Sequence, residues 1–254
     1  MRTTKILTLL LCILLITLVS VLGTLAYLTD EESLTNTFTV GLVEIKVDET
    51  DTDEDGNILY DEDHCPAEGC TADQILRTED GNQYHLIPGM RYLKDPTLTV
   101  KAGSADSYIR LILKVTHCDA VDAIIANHNL TDYADLFDGW HHDVWIYQGF
   151  TKENDEISFE FRYHQSVDGY TLETDADGNE TKLEQDEKLE PLFTHIIVPS
   201  EVTNEELKAL ANVELIITGH AIQTAGFEDD AETGISAEAA AWSAFDAQIN
   251  PINE

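Results

Sequence analysis

Residues 107–116 read SYIRLILKVT, and their alternation decides the fold class. Ile109, Leu111, Leu113 and Val115 take one phase; Arg110, Lys114 and Thr116 take the other. A period of two marks a strand with one face in a core and one face outside it. The same signal recurs on both sides. Ile157, Phe159, Phe161 and Tyr163 alternate with Ser158, Glu160 and Arg162. Val144 and Ile146 form a shorter piece, with Trp145 and Tyr147 in the opposite phase. Leu192 to Val198 is an apolar run with His195 inside it, and Val213, Leu215, Ile217 and Ala221 mark a last long strand. Strands at this density with turn signals between them predict an all-β antiparallel sandwich.

Helical signals are few. Thr203-Asn204-Glu205-Glu206 has capping-box spacing before Leu207 and Leu210. Residues 120–137 predict one or two short amphipathic helices, and Trp242, Phe245 and Ile249 share a helical face near the C-terminus. Segment 36–47, NTFTVGLVEIKV, changes phase. Phe38 and Val40 are in one register, while Val43, Ile45 and Val47 are in the other, with the switch at Gly41-Leu42. Such a switch at a glycine predicts a bulge or a crossing between two sheets.

The chain has 254 residues, with 49 Asp and Glu against 14 Lys and Arg, a formal net charge of −35. That charge excludes nucleic acid as a direct partner, because phosphate needs a basic footprint, and it opposes docking on an anionic membrane surface. The hydrophobic fraction of 43% is ordinary, so a core can form and the acid belongs on the surface. Two stretches, 48–63 and 173–190, read as acidic insertions; the first carries nine carboxylates in sixteen residues.

The N-terminus has the form of a secretory signal. Arg2 and Lys5 precede an apolar run from Ile6 to Leu22, followed by Gly23-Thr24-Leu25-Ala26. Thr24 and Ala26 take the small-residue positions, which predicts a signal peptide over 1–26 and a mature start at Tyr27. The competing reading is an uncleaved anchor, for which the run is short. Cleavage predicts an exported domain over 27–254 without a stable membrane anchor.

These residues carry a resemblance. GTLAYLTDEESLTNTFTVGLVEIKV around the cut, HLIPGMRYLKDPTLTVKAGSADSYIRLILKV (85–115), LFTHIIVPSEVTNEELKAL (192–210) and VELIITGHAIQTAGFE (213–228) resemble the TasA/camelysin-type exported proteins. The resemblance covers under half of the mature chain, in the expected order. It implies a jelly-roll-like β-sandwich, processing by a dedicated signal peptidase, and a place outside the cell in an extracellular or biofilm matrix. It also implies a fibre subunit whose partners are copies of itself or other matrix and cell-surface proteins. The mechanism implied is strand donation, with Tyr27–Val40 pairing to a neighbour's open sheet edge and Phe38 and Val40 as its apolar side chains. The alternative is that this segment is the first strand of its own domain.

No required cofactor is expected, and calcium is the one ion the sequence raises. DTDEDGNILYDE (51–62) fits D-x-D-x-D-G-x5-E through Asp51, Asp53, Asp55, Gly56 and Glu62, and a looser copy, ETDADGNETKLE, spans 173–184. Asp-Gly is also a common hairpin turn, and an exposed acidic hairpin is the favoured reading of both stretches. A monomeric calcium-responsive surface or adhesion module is therefore a competing function. A camelysin-like metallopeptidase is a third. Against it, the chain has no HExxH, and its nine histidines are scattered, with His141-His142 the only close pair. No GxSxG elbow or phosphate-binding glycine loop occurs either, so no enzyme is expected. Cys65 and Cys70 are spaced for a small disulfide loop, with free thiols or a metal site as alternatives; Cys118 is left over.

Overall fold

The computed structural model describes residues 29–33, 36–38, 43–65, 69–174 and 178–249. The chain folds as an all-β antiparallel sandwich with short helices in its connections and one at the C-terminal end. No helix among the described residues is long and apolar enough to cross a membrane.

The larger sheet has six strands. Its centre is β7 (Ser107–Thr116), flanked by β15 (Leu215–Gln223) and β10 (Glu156–Tyr163). Beyond β10 lies β9 (Trp145–Glu153); beyond β15 lie β1 (Thr29–Ser33) and then β2 (Asn36–Phe38). A four-stranded sheet covers its inner face, in the order β13 (Glu187–Lys188), β6 (Thr97–Val100), β3 (Ile45–Thr50), β4 (Arg77–Thr78). A smaller sheet joins β5 (Arg91–Leu93), β14 (His195–Ile197) and β8 (Phe137–Asp138), and β11 (Tyr170–Thr174) with β12 (Glu180–Glu184) forms a separate hairpin.

The alternating residues of the opening stretch build the core. Ile109, Leu111 and Leu113 meet Ile45, Val47, Leu98 and Val100 across the sandwich, joined by Ile217, Ala221, Phe161 and Trp145. Gly219 sets the spacing of the sheets. A Cβ there would lie 2.6 Å from Val47 Cγ2 and 3.0 Å from Leu98 Cδ1, so only glycine lets β3 and β6 approach β15 this closely.

The strands on either side of the Gly41 phase switch belong to different sheets: β2 to the larger and β3 to the smaller. The acidic stretch 48–63, in contrast, is not wholly an exposed insertion. Asp48, Glu49 and Thr50 are the second half of β3 and are buried. Glu49 follows Val43, Ile45 and Val47 in the same period-two phase and is 1% exposed. Likewise Glu187 and Lys188 of the second acidic stretch pair with β6, and Leu189 is in the core.

Helices cover the ends. α1 (Cys118–Asn127) buries Cys118, Val121 and Ile124. α2 (Asn204–Ala209) starts with the capping box: Thr203 Oγ1 accepts from the Glu206 N–H, and Glu206 Oε2 accepts from the Thr203 N–H at 2.8 Å. α3 (Ala237–Ile249) buries Trp242 and Phe245, but Ile249, grouped with them by the helical period, is exposed.

Candidate functional site

The strand that covers β15 on the outer side of the larger sheet comes from the opposite end of the chain. β1 runs antiparallel to β15 with Thr29 opposite Ile222, Glu31 opposite His220 and Ser33 opposite Thr218. β2 then folds back on β1, pairing Glu31 with Phe38. β15 is an apolar strand with Ile217, Ala221 and Ile222 buried. The strand that closes it reads Thr-Asp-Glu-Glu-Ser and holds no apolar residue. Asp and Glu are poor strand formers, so a main-chain ladder must supply much of the pairing.

The outer face of β15 at this edge is organised by a buried arginine. Arg110 on β7 lies opposite His220 on β15 and is 3% exposed. Its Nε donates to His220 Nδ1 at 2.9 Å and its Nη2 to Asp246 Oδ1 of α3 at 2.6 Å. Its guanidinium also lies 4.6 Å from the Trp242 ring centre and 5.0 Å from that of Phe245. Burial, and then the positive charge of Arg110, push His220 down to about 3. Arg110 thus helps fasten α3 to the sheet, together with the packing of Trp242 and Phe245 against Ile222 and Tyr108. Arg110, His220 and Asp246 escaped the sequence reading. The available signal was an arginine in a strongly apolar strand, whose partners stand 110 and 136 residues away.

The residues expected for strand donation fall on the outermost strand or beyond description. Phe38 is on β2, one strand out from the contact with β15. Val40 lies outside the described residues, as do Thr24, Ala26 and Tyr27 of the expected processing site.

Asp51, Asp53, Asp55 and Glu62 do not converge on one point. The segment forms a hairpin, with a bridge between Thr52 and Ile58. Gly56 sits at φ +84°, and its N–H donates to the Asp53 carbonyl at 2.9 Å. Asp53 Oδ1 accepts from the N–H groups of Asp55 and Asn57 at 3.0 and 2.8 Å, and the Asn57 side-chain amide donates to Oδ2 at 2.9 Å. The Asn57 side chain is the leading cause of a lowered Asp53 carboxyl pKa. Asp53 therefore spends its oxygens on shaping its own turn. Cys65 and Cys70 are joined as a disulfide, with Cα atoms 4.6 Å apart.

Among the described residues, the one group of three ligand side chains within 4.8 Å of one another is Cys118, Asp119 and Asp155. It already contains a cation. Lys152 Nζ donates to Asp119 at 3.1 Å and to Asp122 at 2.5 Å, and these bonds raise its pKa, Asp122 first. Burial pushes the Cys118 thiol up, away from the thiolate that would bind metal or attack a substrate. His117, its neighbour, caps α1 in the left-handed region at φ 49°. His141 and His142 lie in a turn, where His141 Nδ1 is 2.6 Å from the Pro191 carbonyl and His142 stacks on Trp140.

Comparison with family models, curated proteins and solved structures finds no match for this chain.

Proposed function

We propose that this protein is an exported structural subunit that assembles outside the cell by exchanging its N-terminal strand with the next copy. The observation that carries the reading is the β1–β15 pairing. An apolar strand with buried neighbours is closed by an acidic segment from the far end of the chain. A second copy can offer the identical ladder in the identical register, so exchange costs no native hydrogen bond. The contact is head-to-tail and does not close on itself, so it extends into a filament. The net charge of −35 sets the condition for growth: it opposes close approach of copies until carboxylates are protonated or screened.

The mature protein at high concentration and low pH is expected to form filaments visible by electron microscopy. Deleting residues 27–40 is expected to leave a folded monomer by circular dichroism and sedimentation, with the β15 edge open and no filaments. A deletion product that unfolds makes the segment an internal strand and defeats the proposal. So does a parent protein that stays monomeric under these conditions.

A further inference from the structure

The long excursion between β3 and β6 folds back so that three side chains with complementary chemistry meet. Glu49 of β3 is 1% exposed, and Lys94, shortly before β6, is 3% exposed. Lys94 Nζ donates to Glu49 Oε2 at 2.6 Å. The other oxygen of that carboxylate, Oε1, accepts from Asn82 Nδ2 at 3.0 Å. One buried carboxylate therefore holds a primary amine and a primary amide side by side.

The amide is oriented at both ends. Its Nδ2 also donates to the Thr50 carbonyl at 2.8 Å, and its Oδ1 accepts from the Thr52 N–H at 2.9 Å. These partners fix which end is oxygen. They also aim a main-chain donor at the carbonyl oxygen, where negative charge develops when a nucleophile adds to the carbon. The Asn82 N–H donates to Glu49 Oε1 at 2.9 Å, so main chain and side chain both pin this segment to the carboxylate. Tyr84 stands against the group. Its hydroxyl donates to the Leu93 carbonyl at 2.6 Å, and its pKa is raised by burial first and then by the Glu49 charge.

Lys94 is poorly provided for as an ion. An ammonium carries three hydrogens, and Glu49 Oε2 is the one acceptor it meets among the described residues. Keeping both charges of the pair away from water is costly. Transfer of one proton along the Lys94–Glu49 bond leaves a neutral amine, which is a nucleophile, beside a neutral acid.

We propose that Lys94 and Asn82 join in an isopeptide bond, with Glu49 as the proton carrier. Lys94 Nζ gives a proton to Glu49 and adds to Asn82 Cγ. Glu49 passes that proton to Nδ2, the Cγ–Nδ2 bond breaks, and ammonia leaves. The second proton released by Nζ stays on Glu49. The atoms balance without an oxidant or a second substrate, and the product keeps no buried charge. The ion pair seen here is the reactant state. The bond closes residues 82–94 into a ring that contains β5, and it stands whether or not copies exchange strands.

The mature protein, incubated at neutral pH and then unfolded, is expected to weigh one ammonia, about 17 Da, less than its sequence mass once the disulfide is counted. Proteolysis is expected to release a branched peptide joining Asn82 to Lys94, read by tandem mass spectrometry. Asn82→Ala and Glu49→Gln are each expected to run at full sequence mass. A parent at full sequence mass overturns the proposal, whatever the variants do. A deficit that survives Lys94→Met is a succinimide at Asn82 and also overturns it. So does a deficit of one water, which would join Lys94 to Glu49 instead. A Glu49→Gln protein that still forms the branched peptide removes Glu49 as the proton carrier.

Discussion

Lys94→Met is expected to destabilise the domain by about 3–5 kcal/mol, the cost of leaving a buried charge without its counter-ion. Lys94 Nζ donates to Glu49 Oε2 at 2.6 Å, and the two side chains are only 4% and 1% exposed. The second carboxylate oxygen is also occupied: Glu49 Oε1 accepts from Asn82 N at 2.9 Å and from Asn82 Nδ2 at 3.0 Å. Glu49 therefore ties the core strand β3 to the long excursion between β3 and β6. Beside it Arg77 does the same, donating Nε to Asp48 at 2.5 Å and Nη1 to Asp95 at 3.1 Å. Methionine fills the volume of lysine but strands the Glu49 charge. Glu49→Gln added to Lys94→Met removes that charge, keeps the bonds to Asn82, and should recover part of the loss. Urea unfolding of the three variants measures both effects. A Lys94→Met protein within about 1 kcal/mol of the parent would show that water reaches the carboxylate, and the pair would then carry the weight of a surface bridge only.

The same pair explains what the sequence concealed. Val43, Ile45, Val47 and Glu49 form one unbroken alternation, so the strand was legible through residue 49 by period alone. Composition gave the opposite signal, because buried glutamate needs partners that lie 33 and 45 residues away, and no local window contains them. β1 was legible only through the family resemblance, which made Tyr27–Val40 a strand, and not through its own pattern. Thr-Asp-Glu-Glu-Ser has no strand propensity of its own; its conformation comes from the ladder to β15, at the other end of the chain. The second half of β9 was lost to the bulge, since an extra residue at Gln148 breaks the alternation on which a strand is recognised. Where chemistry was local, the reading was easy: the capping box at Thr203 and Glu206 specifies the start of α2 within four residues. The alternating cores of β7, β10 and β15 likewise fix the sandwich, because one buried face demands one phase. Acidic Asp53 sits between these cases. Its spacing fits a calcium loop, but its own neighbours Asp55 and Asn57 take its oxygens first.

Acid is expected to loosen the opposite end of the sheet through His220. Arg110 Nε donates to His220 Nδ1, a contact that requires that nitrogen to be unprotonated. A second proton on the ring would also bring a positive charge against the guanidinium inside the protein. Burial first, and then the Arg110 charge, depress the folded-state pKa to about 3, from an ordinary value of 6.5. The unfolded chain takes up the proton first. The stability linked to this group is whole above about pH 6.5 and is lost progressively as pH falls towards 3, reaching roughly 3 kcal/mol by pH 4. The surrounding charges are mixed. Asp246 and Glu160 face Arg110 at 2.6 and 3.7 Å, Glu238 on α3 reaches Arg162 at 3.9 Å, and Glu31 of β1 lies in register with His220. Carboxylates titrate in any variant, so the informative quantity is a difference. His220→Gln keeps an acceptor for Arg110 without a group that protonates, and its stability should fall less steeply than that of the parent between pH 6.5 and 4. Trp242, buried against Arg110, reports the undocking of α3 by fluorescence. Parallel pH profiles for the two proteins would remove His220 as the cause. Divergent profiles would place an acid-sensitive contact directly beside the strand that closes the β15 edge. The condition that relieves repulsion between copies would then also weaken the hold of each copy on its own N-terminal strand.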